Sequence, residues 1–245
     1  MLLWELGYPS QARARMDDGL ILAKKLSHPF SLTYMHFFFA WFHQLCGDEQ
    51  TTRTSADAAI SIASEHGLPF WGTLATALRG WTLAQEGVFQ EAIAHILHGL
   101  AFFKASGAQL FQTYPLGLLA ETQGKMGLAD QGLAALTEAF AIIDKTDEHH
   151  WEAELYRLKG ELLLALSHGN QAQAETCFRQ AIDAARHRSQ KSLELRAAMS
   201  LSRLWQKQGK RDEPRQMLAE IYNWFTEGFD TADLQEAKAL LEALA

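Results

Sequence analysis

The sequence predicts an all-α protein, a solenoid of about six helix-turn-helix repeats with a 40-residue period and a capping helix at its C-terminus. The first observation is a series of glycines with similar flanking residues, separated by 40, 40, 40, 42 and 40 positions. The series consists of Gly7, Gly47, Gly87, Gly127, Gly169 and Gly209. Two further series of small residues keep the same register, one before and one after each glycine. Regular spacing of this kind is the sequence signature of stacked structural repeats.

Each glycine of the series is predicted to end one helix in a left-handed conformation. Glycine adopts that conformation without the steric penalty of a Cβ atom, and many helices end on it. The stretch from Leu158 to Gln190 shows the pattern, because turn residues interrupt it only at His168-Gly169-Asn170. We therefore expect the chain to fold back on itself at each glycine and form a helical hairpin.

The first helix of each hairpin carries a small residue seven positions before the turn glycine. Small side chains at this place let two helix backbones approach closely. The series contains Ala40, Gly80, Ala120 and Ser202, together with Gly160, which stands nine positions before Gly169.

The second helix carries a small, a large and a small residue at offsets 5, 9 and 12 from the glycine. These offsets lie on one helix face, and the pattern predicts close packing along that face. The clearest examples are Ala12, Met16, Gly19, Ala92, Ile96, Gly99, Gly132, Leu136, Ala139, Ala174, Phe178 and Ala181.

A single hairpin cannot bury its apolar face, so the hairpins must stack into one continuous core. We expect a single domain over residues 1–245. Its predicted repeats are 1–29 (partial), 30–69, 70–110, 111–150, 151–190 and 191–228, followed by a cap helix at 230–245.

The cap helix is predicted to begin after Asp230 or Thr231 as its N-cap residue. An apolar stripe of Leu234, Ala237, Leu241 and Leu244 is expected to face the core, with Asp233, Glu236, Lys238 and Glu242 in solvent.

The first repeat has only Met1–Leu6 where the others have a full first helix. Its second helix is therefore expected to expose Met16, Leu20, Ile21 and Leu26, which isolated domains seldom tolerate. This predicts either that the chain is the C-terminal piece of a longer protein or that it self-associates through its N-terminal repeat.

The two series of small residues around each glycine resemble the tetratricopeptide repeat (TPR), over essentially the whole chain. The resemblance implies a right-handed TPR-like α-solenoid whose first helices line a concave, partner-binding face. The 40-residue period departs from the usual 34 residues of that family. The aromatics usual in the first helix survive in part, at Tyr156 and Trp205.

The last third of the chain has a narrower resemblance, carried by "WEAELYRLKGELLL", "AETCFRQAIDAAR" and "KSLELRAAMSLSRLWQKQGK". It is similar to the C-terminal helical region of large bacterial signalling proteins with a class III adenylate or guanylate cyclase domain and an AAA-type ATPase domain. This sequence has no GxxxxGK[ST] phosphate loop. The resemblance therefore implies a non-enzymatic helper module, which acts on such a domain in cis or in trans.

Composition and charge argue against several other classes of protein. A net charge of −7 disfavours nucleic-acid binding, which needs a basic surface. Cys46 and Cys177 are far apart in the sequence and lack metal-ligand spacing, so neither a disulfide framework nor a zinc site is expected. Free cysteines of this kind are typical of the reducing cytoplasm, which is the expected location. The sequence contains no stretch of about 18 apolar residues, so no membrane span is predicted. The polar cluster Asp147–Glu154 is more typical of a solvated loop than of a metal site, and we expect no cofactor.

The residues expected on the concave face follow from counting back from each turn glycine. They change from aromatic to charged along the chain, and a protein or peptide segment is expected to bind them. They are Tyr34, Trp41, Trp81, Tyr114, Glu121, Glu154, Arg157, Glu161, Arg196, Arg203 and Lys207, with Phe37, Leu74 and Lys125 beside them. Two alternatives stay open: the aromatics around Phe37–Phe42 form core, because that helix is apolar nearly all round, and the arginines lie on a solvated face.

Two functions follow from this face. The first is a non-enzymatic interaction or regulatory module for a cyclase or ATPase signalling protein, which binds a partner segment along the concave face. The second is a small-molecule sensor with an aromatic pocket near the N-terminal repeats. No catalytic constellation stands out, and an enzyme is not expected.

Overall fold

The computed structural model describes residues 1–108 and 111–245. Within these ranges the chain contains thirteen α-helices, one 3-10 helix at His168–Asn170 and no β-strand. The α-helices are α1 (Leu2–Glu5), α2 (Pro9–Leu26), α3 (Pro29–Leu45), α4 (Glu49–His66), α5 (Pro69–Gln85), α6 (Phe89–Ser106), α7 (Thr113–Lys125), α8 (Ala129–Thr146), α9 (Glu152–Leu166), α10 (Gln171–His187), α11 (Lys191–Lys207), α12 (Asp212–Tyr222) and α13 (Ala232–Ala243).

The helices form two compact units, which are described separately. The first contains residues 13–146 together with Met1, and the second contains residues 2–12 and 147–245. In the first unit the hairpins α3–α4, α5–α6 and α7–α8 pack in sequence, and α5 contacts both α3 and α7. In the second unit the hairpins α9–α10 and α11–α12 are followed by α13, which packs on α11 and α12. The predicted fold class, an all-α solenoid of TPR-like hairpins, is confirmed. The end of the predicted repeat 70–110 falls on Gln109 and Leu110, which lie outside the described residues.

The turn series is confirmed at five of its six glycines. Gly7, Gly47, Gly87, Gly127 and Gly209 have φ between 77° and 90°, in the left-handed region. The expectation that Gly169 shares this conformation is wrong. There the helix α9 ends at an extended Ser167, whose Oγ accepts a hydrogen bond from the Gly169 amide at 3.1 Å, and a 3-10 turn follows. The two extra residues of this repeat thus make a different turn, in which glycine has no special conformational role.

The small residues lie where helices cross closely. Ala40, Ala120 and Ser202 have no exposed surface, and a Cβ atom on Gly160 would overlap the ring of Phe178 on α10. The opposing second helices are equally well packed, since Ile96, Leu136 and Phe178 are at most 1% exposed.

The cap helix begins as predicted and differs from the prediction in two details. Thr231, one of the two predicted N-cap residues, occupies the N-cap position of α13. The apolar stripe runs through Leu234, Ala237, Leu240 and Leu244, with Leu241 only partly buried. Asp233 does not face solvent freely, because its carboxylate pairs with Arg196 on α11 at 2.9 Å.

The second helix of the first repeat exposes part of the predicted apolar set. Ile21 and Leu26 on α2 are 53% and 61% exposed, together with Leu22 at 57%, whereas Met16 and Leu20 are partly buried. In α1, Trp4 and Glu5 are only 2% and 3% exposed, whereas Leu2 is 69% exposed. Across the described part of the chain, no helix is long and apolar enough to span a bilayer.

Candidate functional site

The aromatic residues predicted for the concave face of the first unit are mostly core residues. Trp41 is 2%, Trp81 6% and Tyr114 4% exposed. The Trp41 and Tyr114 rings pack 4.6 Å apart, and the Tyr114 hydroxyl donates a hydrogen bond to Gln44 Oε1 at 2.8 Å. Phe37 and Leu74 are likewise buried. The structure therefore favours the core alternative for these side chains.

Tyr34 differs from the other predicted aromatics, because 38% of it is exposed. Its ring meets the edge of Trp71 at 5.0 Å and borders a groove of about 280 Å³ between α2 and α3. The groove is apolar and open, since several of the side chains that line it are largely exposed. Its lining consists of Gly19, Leu22, Ala23, Leu26, Phe30, Ser31, Tyr34 and Met35.

Glu121 forms a small polar pair at the surface of the first unit. Its carboxylate lies 2.9 Å from Lys125 Nζ, one turn further along α7. Lys125 Nζ also donates to Gln85 Oε1 on α5, at 2.7 Å. This pair links neighbouring first helices and, being exposed, contributes little to stability.

The charged residues predicted for the second unit come together on α9, α11 and α13. Arg157 donates two hydrogen bonds to Glu154, at 2.9 and 2.6 Å, and lies 3.8 Å from Glu161. Arg196 on α11 lies 4.0 Å from Glu154 and pairs with Asp233. We name this set the charge network.

The pKa values of the charge network follow from how many cations each carboxylate meets. Burial alone would raise the pKa of Glu154, but the guanidiniums of Arg157 and Arg196 lower it below its ordinary value. Desolvation raises the pKa of the partly buried Asp233, and repulsion from Glu154 adds to the increase, whereas Arg196 opposes it without cancelling it. Burial lowers the pKa of Arg196, but Asp233 and Glu154 more than compensate and raise it. The network therefore favours the charged forms of Arg196 and Glu154, whereas Asp233 takes up a proton more readily than an ordinary aspartate does.

The other predicted residues extend this face along α11. Ser200 donates a hydrogen bond to Glu161 Oε1 at 2.6 Å, and Arg203 forms an ion pair with Glu236 of α13. The side chain of Arg203 remains 35% exposed. Lys207, at the end of α11, is exposed. On this side of the second unit, direct contacts join Glu154, Arg157, Glu161 and Arg196, and Arg203 pairs with Glu236 of α13.

The N-terminal segment, residues 2–12, lies against this surface, and no sequence pattern predicted that contact. Trp4 packs its ring against Arg196, with the guanidinium carbon 4.9 Å from the ring centroid. The Trp4 carbonyl accepts a hydrogen bond from Ser192 Oγ at 2.5 Å. The segment is therefore anchored directly on α11, next to the charge network.

The carboxylate of Glu5 is the second anchor, and it is buried with 3% exposure. One oxygen lies 3.0 Å from His150 Nε2, and the other accepts a hydrogen bond from Gln190 Nε2 at 3.2 Å. The same Gln190 amide donates to the His150 carbonyl at 2.9 Å. The hydrogen bond to Glu5 raises the pKa of His150 although burial opposes it, and Glu148 adds to the increase.

The rest of the segment packs on the chain that follows α12. The Tyr8 and Trp224 rings lie 5.5 Å apart, and Lys191 Nζ is 5.7 Å from the Trp224 centroid. Gly7 sits so close to Trp224 that a Cβ atom would overlap the indole. Gln11 donates from its backbone and its side-chain amide to the two oxygens of Glu227, at 3.0 and 3.2 Å.

Several polar side chains of the cluster at Asp147–Glu154 are paired with nearby side chains. His149 lies 2.9 Å from Asp147 and 3.1 Å from Glu152. Among residues 1–108 and 111–245, no three His, Cys, Asp or Glu side chains converge as metal ligands. Cys177 is buried in apolar surroundings, which raise the pKa of its thiol and oppose its reactivity.

Comparisons with known proteins identify the fold of this chain. Neither the known protein families nor the curated proteins contain a match to this sequence. Among solved structures, the chain is similar to the "nearly identical TPR-like repeats" of a kinesin light chain candidate from Podosopora anserina, with a TM-score of 0.53 and 17% identity over 88% of this chain and 97% of that one. A single-substitution variant of the same repeats gives a TM-score of 0.54 and 18% identity over 79% of this chain and 94% of that one. At this identity the similarity concerns the fold alone: the chain has the architecture of TPR-like helical repeat proteins.

Proposed function

We propose that this chain is a non-enzymatic protein-interaction module that captures a segment of a partner protein on the α9–α11–α13 face of its second unit. TPR-like repeat folds generally mediate protein–protein interactions. The observation that carries the proposal is that the α11 part of this face already holds a short peptide segment, residues 2–12. Arg196 and Ser192 of α11 hold the indole and the carbonyl of Trp4, and His150 and Gln190, just before α9 and α11, hold the carboxylate of Glu5. A surface that binds one segment through side-chain anchors has the chemistry to bind another.

The setting of the module belongs to the proposal as well. The last third of the sequence resembles the helical region of bacterial cyclase–ATPase signalling proteins, and we propose that the partner is a domain of such a protein, in cis or in trans. The proposed location of this interaction is the cytoplasm. Adding the purified chain to a cyclase–ATPase protein of this kind should change its rate of nucleotide turnover, whereas an Arg203→Glu chain should not.

The small-molecule sensor has less support. It requires an aromatic pocket closed on several sides, but Trp41, Trp81 and Tyr114 are packed in the core. The groove beside Tyr34 is open and lined by exposed apolar side chains. Its shape suits an apolar surface better than a small polar molecule.

Selection of peptides from a random displayed library on the immobilised full chain tests the interaction module. Arg203→Glu reverses a half-exposed charge on the face and should weaken the selected peptides about tenfold. Arg157 is a poorer position for this test, because a glutamate there would face the buried Glu154.

Arg215→Glu is the matched control, since Arg215 is exposed on α12, away from this face. Circular dichroism confirms that both variants remain helical. Selection of no peptide, or equal weakening by both variants, would contradict the proposed function.

A further inference from the structure

The N-terminal segment is held as a ligand is held, rather than as a repeat helix is held. Trp4 and Glu5 lie in α1, Tyr8 follows the turn at Gly7, and Gln11 lies in the first turn of α2. The segment is fixed by separate contacts of Trp4, Glu5, Tyr8 and Gln11, each with its own partner.

These anchors define a recognition pattern. The Arg196 guanidinium lies over the indole of Trp4, and Ser192 Oγ donates a hydrogen bond to the Trp4 carbonyl. A cation over an aromatic face and a hydroxyl on a backbone carbonyl are both ordinary means of peptide recognition.

The carboxylate that follows the indole lies 3.0 Å from His150 Nε2 and accepts a hydrogen bond from Gln190 Nε2. Two residues further on, the chain turns at Gly7, where φ is 90° and only glycine has room. The aromatic ring of Tyr8 then packs on Trp224. The pattern is therefore an aromatic residue, an acidic residue, a spacer, a glycine and a second aromatic residue.

We propose that residues 2–12 are an internal occupant of the binding site, and that the partner's segment, carrying the same aromatic–acidic–spacer–glycine–aromatic pattern, displaces them. This inference rests on the proposed function and specifies the chemistry of its ligand. The internal segment lowers the apparent affinity for any partner, because the free site is only a fraction of the population. The segment thereby makes capture depend on a partner that matches the pattern.

A second copy of this chain is a poorer occupant than a partner protein. Each copy contributes one segment and one site, so an exchange between copies creates no additional contacts of this kind. Binding within one chain also has the advantage of a high effective concentration.

The test uses a fluorescent peptide with the sequence of residues 2–12 and full-length protein. A chain with Trp4→Ala and Glu5→Gln leaves its own segment without both main anchors. We expect this variant to bind the peptide at least tenfold more tightly than the wild-type chain does, by fluorescence anisotropy. A peptide carrying Trp4→Ala should bind the same variant at least tenfold more weakly.

Two further variants show that the peptide uses the same site. Gln190→Ala, added to the double variant, removes a donor to the carboxylate and should weaken peptide binding. Gln208→Ala removes an exposed glutamine just after α11 and should leave binding unchanged. If Trp4→Ala prevents folding, Glu5→Gln alone replaces the double variant, because it keeps the shape of the side chain.

Three results would overturn the inference: a folded double variant that binds the peptide no better than wild type, equal binding of the Trp4→Ala peptide, or dimers formed by segment exchange at micromolar concentration. Library peptides that depend on Arg203 but lack the pattern and do not compete with residues 2–12 would refute this inference and leave the proposed function intact. Failure to select any peptide would refute the proposed function itself.

Discussion

Gly160 shows how one missing side chain sets a distance between helices. The absent Cβ atom leaves room for the buried ring of Phe178, which lies across α9. The sequence indicated this contact, since Gly160 belongs to the small-residue series and Phe178 to the series on the second helix. Both series are local and periodic, and a periodic pattern is visible in the residues themselves.

Replacing Gly160 by alanine should therefore destabilise the chain by about 1–3 kcal/mol, because the added methyl group overpacks the α9–α10 crossing. Denaturant unfolding followed by circular dichroism measures the change. Gly169→Ala is the matched control, since Gly169 lacks a positive φ and a Cβ atom there meets only Ser167 Oγ, at 3.4 Å. Equal stability of the two variants would show that the crossing tolerates the extra volume.

The turn glycines act through the backbone alone. At Gly87 and Gly127, φ is 80° and 81°, and no atom lies within 4 Å of where a Cβ would be. Valine at either position should cost about 1–3 kcal/mol, since a β-branched residue is forced into the left-handed region without any clash. Asn at the same positions should cost less, because asparagine tolerates this conformation. Melting temperatures that stay at the wild-type value for both valine variants would contradict this account.

At the scale of elements, the hairpins could be predicted and the docked segment could not. A hairpin is specified by neighbouring residues with a repeating pattern, so its turn, crossing and apolar face are all visible in the sequence. Docking of α1 on α11 depends on pairs such as Glu5–Gln190, which are 185 residues apart and have no period. The contacts of Glu154 and Arg196 were missed for the same reason, because Asp233 completes the charge network from a different helix.

Docking of α1 should respond to pH through His150. The pKa of His150 is raised above 6.5 by its hydrogen bond to Glu5, so protonated His150 stabilises the docked state. This stabilisation is fully present below about pH 6.5 and is lost as pH rises through the raised pKa. Hydrogen exchange of the Gly7 and Tyr8 amides, which bond to the Trp4 and Leu3 carbonyls, should speed up relative to core amides over that range.

His150→Gln should abolish this pH response, because glutamine donates a hydrogen bond without titrating. His149→Gln is the matched control and should retain it, since His149 pairs with Asp147 and Glu152 instead of Glu5. A response that survives in the His150→Gln chain would assign it to another group.

At the scale of the whole molecule, the exposed apolar groove between α2 and α3 sets how the chain behaves at high concentration. Leu22, Leu26 and Phe30 are 57%, 61% and 47% exposed side by side, and contiguous apolar surface of this kind favours association. We expect an exposed-hydrophobe dye to bind and the sedimentation coefficient to rise with concentration. Leu26→Glu should reduce both effects.

Leu166→Glu is the control for that variant, because Leu166 is 39% exposed but lies in the other unit. A wild-type chain that stays strictly monomeric without a dye signal would contradict the expected association. If the Leu166→Glu chain lost association instead, the surface through which the chains associate would lie on the second unit.

The docked segment also determines the order in which the molecule can assemble during synthesis. The helical hairpins close loops of a few residues and form as soon as both helices have left the ribosome. Residues 2–12 are made well before their partners, which extend from His150 to Gly228. Trp4, which is buried in the folded chain, therefore has no partner to pack on until Ser192 and Arg196 of α11 have been translated. Docking of this segment thus follows the synthesis of the hairpins that lie between residues 12 and 190.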